Sequence, residues 1–344
     1  MLKSIAVEDI KIGVVGAGSW GTAIADLLAR KGYPIDLWVF EKEVKAQILA
    51  ERENKVYLPA VALSPHIAPS NDLVEVVSHK DLLVIVVPSH VIRETTQKIA
   101  GSISNTATVV AASKGIENKT FLTVTGIFKQ TLAHIPEDHF AVLSGPSFAK
   151  EVARQSPTVV TVASKNLELA TLVQHVFVTP YFRVYTNDDV IGVELGGSIK
   201  NVIAVAAGIV DGLGLGLNTR AALITRGQTE IRRLGLALGA NARTFTGLAG
   251  IGDLILTCTG NLSRNYTVGK KIGGGMKLGE VLAEMHMVAE GVKTAKSVYN
   301  LSRSIGVEMP ICQEVYHILY DDLSPKKALY RLMTRDLRQE LDEQ

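Results

Sequence analysis

The sequence predicts an α/β protein, with a doubly wound, mostly parallel sheet over residues 1–188 followed by an all-α domain over residues 189–344. Three observations carry this expectation. A short apolar strand pattern, Ile12-Gly13-Val14-Val15, runs straight into a glycine triplet and a helical apolar stripe. Apolar runs bounded by turn residues then alternate with helical stretches as far as Tyr185, the order expected where crossover helices cover both faces of a parallel sheet. From Val190 onward the strand patterns stop and long alanine- and glycine-rich helical stretches take over, which puts the boundary near Asp188-Asp189.

The first element is Gly16-Ala17-Gly18-Ser19-Trp20-Gly21. Gly16 allows the strand-to-helix turn, Gly18 lets backbone N–H groups approach a pyrophosphate, and Gly21 lets the helix lie close on the strand. The N-terminus of that helix then faces the anion. Ala23, Ile24, Leu27 and Leu28 continue the stripe to Arg30, and Gly32 ends it. Residues 35–40 read as a second strand, and Glu41 follows twenty residues after Gly21, where a carboxylate accepts hydrogen bonds from adenosine ribose hydroxyls. A glycine triplet alone is weak evidence. Strand, triplet, helix, strand and acid in this order make a specific one, for a Rossmann-type domain that takes NAD(H) or NADP(H).

Residues 43–54 read as a polar helix, followed by a connection with a short strand at Ile67. Residues 82–87 form a continuous apolar run ended by Pro88, as a parallel strand buried on both faces should. The loop Pro88-Ser89-His90 at its carboxyl end borders the cofactor crevice. His90 is there either an acid/base or part of the loop's own bonding. Residues 91–100 alternate helically, and 108–112 form the next strand, leading into Ser113-Lys114-Gly115. Lys114 reads two ways, pairing with a phosphate or carbonyl oxygen or lying solvated on the surface. A helix over 122–132 and a strand over 140–143 lead to a rigid loop of small residues, 144–150, which holds Gly145, Ser147 and Ala149. A strand at 158–163, a helix at 167–177 and a strand at 182–185 complete the first half.

In the second half, residues 194–208 are apolar nearly all round, so they read as a buried helix whose exceptions are Lys200 and Asn201. A buried lysine is costly unless it is paired or its pKa falls, and Gly196 and Gly197 stand on the face toward which it leans, leaving room for a ligand. Lys200 is therefore the candidate general acid, against a lysine that snorkels to solvent or pairs with Glu194. Asn218 suits the N-cap of the next helix, which runs to Gly239. Residues 246–259 are glycine-dense and then apolar, placing Asp253 in or beside a tight turn, where it orients the lysine, accepts a substrate hydroxyl or caps a helix. Ser263 suits an N-cap, leaving Arg264 in a first turn where N–H groups, dipole and guanidinium meet one phosphate. Val288-Ala289-Glu290 adds an acid before another helix.

Composition narrows the class. The 344 residues are 47% hydrophobic and 20% charged with a net charge of +2, so neither nucleic acid nor an anionic membrane is implied as a bulk partner. Glu8 and Asp9 stand where a signal peptide needs its apolar core. Lys200, Asn201 and Asp211 interrupt the longest apolar stretch, so no membrane span is expected. Cys258 and Cys312, far apart and outside any CxxC, read as buried thiols in a reducing compartment, with neither a disulfide framework nor a metal site.

Over residues 10–330 the chain resembles the soluble NAD(P)-dependent glycerol-3-phosphate dehydrogenases. The matching blocks are GAGSWGTAIA, ASKGIE, LSGPSFAKEV, ELGGSIKNVIAVAAG, NTRAALITRG, GLAGIGDLILTC, SRNYTVG and AEGVKT, in that order. The resemblance implies cytoplasmic, reversible hydride transfer between nicotinamide and C2 of dihydroxyacetone phosphate, giving sn-glycerol 3-phosphate for phospholipid synthesis, with no metal. It puts Lys200 at the proton-donor/acceptor position. Lys114, Gly145, Ser147, Asp253, Ser263, Arg264 and Asn265 match substrate-contacting positions, with Asn201 and Thr257 as supporting polar groups. Ser19, Trp20, Lys114, Ala149, Arg264, Val288 and Glu290 match cofactor-contacting positions. The chain departs where many bacterial members follow Leu-Trp with a basic residue and this one has Leu37-Trp38-Val39-Phe40-Glu41, which leaves NAD versus NADP open. Two rivals remain: a β-hydroxyacid or 6-phosphogluconate-type dehydrogenase, and a dinucleotide-sensing protein without turnover. The oligomer, with a homodimer among the options, and feedback control also stay open.

Overall fold

A computed structural model describes residues 10–285 and 288–340. Eight strands, β1 (Ile12–Val15), β2 (Ile35–Trp38), β3 (Ile67–Ser70), β4 (Leu82–Ile85), β5 (Thr108–Ala111), β6 (Phe140–Ser144), β7 (Thr158–Ala163) and β8 (Phe182–Asn187), form one sheet in the order β3-β2-β1-β4-β5-β6-β7-β8. Every pair is parallel except β6 with β7. The order reverses at β1, so the crevice between β1 and β4 opens at the carboxyl ends of the strands, beside the glycine turn.

Seven helices accompany the sheet: α1 (Ser19–Arg30), α2 (Lys42–Glu51), α3 (Leu73–Val77), α4 (Ile92–Ile99), α5 (Val124–Thr131), α6 (Ala149–Ala153) and α7 (Leu167–Phe177). Alternate strand residues feed two cores. Ile12, Val14 and Val84 pack with Ile24 and Leu28 of α1, whereas Val15, Leu83 and Ile85 pack with Ile92, Ile127 and Phe128. This two-sided burial is what makes the strands read as continuous apolar runs.

The second half is helical: α8 (Val190–Gly212), α9 (Leu217–Ala237), α10 (Asp253–Thr259), α11 (Arg264–Gly273), α12 (Leu278–Ala283), α13 (Glu290–Ser304), α14 (Pro310–Tyr320) and α15 (Pro325–Met333). Asp189 caps α8 by accepting from the Gly192 N–H. With 23 residues α8 is long and apolar enough to cross a membrane, contrary to the expectation from its polar interruptions, but 89% of its most apolar window is buried within the protein. Coverage by α9, α10, α11 and α13 accounts for that hydropathy.

Other expectations need correction. The second and fourth strands stop at Trp38 and Ile85, short of Phe40 and Val87. α2 ends at Glu51 because Arg52 adopts a left-handed conformation, φ 52°, and turns Asn54 inward. Residues 149–153 form a short helix that begins within the stretch 144–150 read as loop. The N-cap of α9 is Gly216, so Asn218 lies within the first turn instead of capping it.

Candidate functional site

The glycine turn has the geometry a pyrophosphate needs. Gly16 sits at φ +120°, a region that favours glycine, and a Cβ on Gly21 would collide with the Gly16 carbonyl oxygen. Gly18 is the N-cap of α1 and offers no side-chain cap, and a Cβ there would have nothing within 4 Å. The helix N-terminus is thus open to an anion, which fits a dinucleotide phosphate. Gly21→Ala is expected to force α1 away from Gly16 and Val86, costing ~1–3 kcal/mol as overpacked sites do, and to weaken dinucleotide binding. Thermal unfolding together with a nucleotide-fluorescence titration checks both; an unchanged pair of values would show that the close approach is unnecessary.

Two residues outside the motif hold this turn, and sequence reading missed both. Asn54, fully buried, donates from Nδ2 to the Ala17 carbonyl and to Thr22 Oγ1, each at 2.9 Å. Ser19 Oγ donates to the Tyr57 carbonyl at 2.6 Å, and the Tyr57 hydroxyl donates to Glu41 Oε1 at 2.6 Å, pushing the phenol up to about 12. Glu41 therefore stands at the end of the second strand segment, as the spacing predicts, with one oxygen already engaged. Trp20 is half-buried against the adjoining core. Nothing in the spacing of Asn54 or Tyr57 marks them, since the chain's return from α2 brings them to the loop.

A second cluster surrounds Lys200, which is buried at 6% exposure on α8. Its Nζ donates to Asp253 Oδ1 and, at 2.8 Å, to Thr257 Oγ1. The other oxygen of Asp253 accepts from Lys114 Nζ at 2.6 Å, and that ammonium also reaches the Gly145 carbonyl at 3.2 Å. Glu194 is not the partner of Lys200, because its carboxylate accepts from the N–H and hydroxyl of Thr125. Asp253 opens α10, where the helix dipole favours a carboxylate, and Thr257 follows one turn later on the same face. A π-type turn at Leu248–Gly252, kinked at Gly250, delivers Asp253 into the cluster. Burial lowers Lys200 to about 8; Asp253 opposes the shift and Lys114 adds to it.

Gly196 and Gly197 do not leave space for a ligand as expected. A Cβ on Gly196 would strike the Ala249 carbonyl, and one on Gly197 would lie 2.6 Å from Ser144 Oγ and 3.5 Å from Lys114 Cδ. They let the π-type turn and Lys114 close on α8, which is how three distant segments reach one carboxylate.

The third group lies at the start of α11. Ser263 caps that helix, accepting from the Tyr266 N–H at 3.2 Å, and Arg264 is its first residue. The guanidinium makes no hydrogen bond or ion pair among the described residues; it is solvent-accessible, but surrounding protein lowers its pKa against the opposing charge of Glu290. Asn265 Nδ2 donates to Asn201 Oδ1 at 2.9 Å, and its carbonyl accepts from the Gly291 N–H at 2.9 Å. This ties α11 to the residue after Lys200 and to α13. Glu290, first in α13, accepts from the backbone N–H of Ser89 at 3.1 Å and from its hydroxyl. The loop after β4 is thereby fastened to the helical half by Ser89. His90 beside it has its pKa lowered by burial and by Lys293, with Glu290 opposing. Ser147 Oγ donates to the Gly145 carbonyl at 3.0 Å, while Ala149 and Val288 are half-buried. No group of three or more metal-ligating side chains occurs among the described residues.

Two family models match this arrangement. One, described as the N-terminus of NAD-dependent glycerol-3-phosphate dehydrogenase, covers residues 11–170; the other, its C-terminus, covers residues 189–330. The chain belongs to the NAD(P)-dependent glycerol-3-phosphate dehydrogenase family. A relative from Syntrophobacter fumaroxidans, named glycerol-3-phosphate dehydrogenase (NAD(P)+), is 56% identical over 96% of this chain and 97% of its own. One of the same name from Geobacter metallireducens is 55% identical over 96% and 98%. A crystal structure of glycerol-3-phosphate dehydrogenase from Coxiella burnetii is 40% identical, has a TM-score of 0.91, and covers 95% of this chain and 99% of that one. D-Mandelate dehydrogenase, at 14% identity and a TM-score of 0.60, shares the fold alone.

Proposed function

We propose that the chain is an oxidoreductase that reversibly reduces dihydroxyacetone phosphate to sn-glycerol 3-phosphate with NADH or NADPH, supplying glycerophospholipid synthesis in the cytoplasm. The observation that carries this reading is the Lys200–Asp253–Lys114 cluster, in a chain that also has a dinucleotide-type glycine turn and, at a helix N-terminus, an arginine with no hydrogen bond or ion pair among the described residues. Residues 1–188 bind the dinucleotide and residues 189–344 the substrate.

A reduced nicotinamide held at the glycine turn would supply the hydride that C2 of the ketone takes up. As the C2–O π bond breaks, its electron pair moves to oxygen, and the Lys200 ammonium stabilises that charge and hands over its proton. Asp253 and Thr257 aim the ammonium and keep it charged against burial. Lys114 adds positive charge on the other side of Asp253 and, with Gly145 and Ser147, borders the substrate. Arg264 takes the phosphate with the N–H groups of the Ser263-capped turn, and Asn265, fixed through Asn201 and Gly291, completes that grip. Ser19, Trp20, Ala149, Val288 and Glu290 border the dinucleotide.

A steady-state assay with dihydroxyacetone phosphate and each reduced cofactor tests this reading, which fails if hydroxyacids are oxidised in place of glycerol 3-phosphate or if the cofactor binds without turnover. Glu41 is expected to lean the choice toward NADH by repelling a 2′-phosphate, while Lys42 and Lys45 keep NADPH usable. Glu41→Ala should therefore raise kcat/KM for NADPH relative to NADH. A strong NADPH preference untouched by that substitution removes Glu41 from the choice. For a homodimer, the support is the exposed apolar set Leu217, Tyr330 and Met333 on α9 and α15, and sedimentation equilibrium decides it.

A further inference from the structure

Beside the π-type turn that leads to Asp253 lies a cavity of about 230 Å3 lined by Thr161, Asn187, Asn241, Arg243, Thr244 and residues 247–249. That is many times the ~10–15 Å3 of such volume that one water needs. Its lining is built from elements far apart in sequence, β7, the end of β8 and the segment before α10.

The Thr244 hydroxyl is spent on Asp189, but several other donors of the lining are not spent among the described residues. Thr161 is buried at 6% exposure, yet its hydroxyl makes no hydrogen bond among the described residues. The carbonyl oxygens of the Asn187 and Asn241 side chains accept from the N–H groups of Asp189 and Arg243, at 2.8 and 3.0 Å, and neither amide NH2 group has a hydrogen-bond partner among the described residues. The Arg243 guanidinium has no hydrogen bond or ion pair among the described residues. The nearby carboxylate, Asp189, is already satisfied by the N–H groups of Gly192 and Asn241 and by the Thr244 hydroxyl. A guanidinium, two amides and a buried hydroxyl around one polar cavity match a small oxyanion, with Arg243 supplying the charge and the others the remaining donors.

We propose that this cavity is a second oxyanion site, distinct from the substrate site at Arg264, that takes a phosphate or carboxylate group. Its walls meet the catalytic cluster at two places. Thr161 pairs with Ser144 across β6 and β7, next to the Gly145 carbonyl that receives Lys114, and the Gly247–Ala249 wall leads directly to Asp253.

Equilibrium dialysis with radiolabelled inorganic phosphate, run with saturating NADH so that the glycine turn is filled, tests the site on the full chain, in the wild type and in Arg264→Ala, Arg243→Ala and Thr161→Val. Arg243 is exposed, so its substitution leaves folding intact, and kcat/KM for dihydroxyacetone phosphate without added phosphate should be unchanged. Two phosphates per chain are expected in the wild type and one in Arg264→Ala. Adding Arg243→Ala to Arg264→Ala should weaken that remaining phosphate at least ~10-fold, the loss of one charge-assisted contact, and adding Thr161→Val should weaken it less. A single wild-type phosphate that Arg243→Ala removes keeps this inference and removes phosphate binding from Arg264. No phosphate bound in Arg264→Ala, or one indifferent to both added substitutions, overturns it.

Discussion

Lys200→Ala is expected to lower kcat for ketone reduction by at least ~10²-fold, the scale of a positioned acid, while dinucleotide affinity survives. The reason is geometric: Lys200 is a buried ammonium held by Asp253 and Thr257, and Lys114, the other cation on Asp253, is committed to its far oxygen and to Gly145. Lys200→Met, which keeps the stem without the charge, should behave alike and separates lost chemistry from lost packing. A variant that retains most of its kcat removes Lys200 from the mechanism. Because burial lowers Lys200 to about 8, the protonated donor is lost as pH rises through that value. Reduction should therefore fall above about pH 8, whereas oxidation of glycerol 3-phosphate, which needs the neutral amine, should rise over the same window. The same shift has a sign for stability. Between about 8 and the ordinary 10.5 the unfolded chain holds more protons at this lysine than the folded one, so its contribution to stability grows with pH. Lys200→Met should remove both the reduction fall and that trend.

Arg264→Ala should cost ~1.5–3 kcal/mol of substrate binding, roughly 10- to 150-fold in kcat/KM, and nearly all of it should appear with the phosphorylated ketone. Among the described residues the guanidinium makes no hydrogen bond or ion pair that its loss would break, so the loss is mainly that of the ligand contact; Ser263 keeps the helix start in place. Comparing dihydroxyacetone phosphate with unphosphorylated dihydroxyacetone reads this directly. Equal losses on both substrates would show that Arg264 does not meet the phosphate.

The linear sequence determined the local features. The central strands of the sheet were legible because a strand buried on both faces must be apolar throughout, and the glycine turn was legible because Gly16 and Gly21 meet steric demands at fixed spacing while Gly18 leaves the helix start open. Ser263 and Arg264 were legible for the same reason, since a helix start is specified within four residues. Lys200 stood out only as an exception on an apolar helix. Its partners were decided by tertiary structure: Asp253 lies 53 residues away, and Lys114 139 residues from Asp253. Asn54 on the glycine turn and Ser89 on Glu290 were likewise invisible, one 37 and the other 201 residues from the group it holds. A pattern of period two or 3.6 reports which face of an element is buried, but carries no information about what is buried against it. Gly196 and Gly197 show the difference most plainly: the sequence places them beside Lys200, and only the packed fold shows that the room they make is filled by the chain itself.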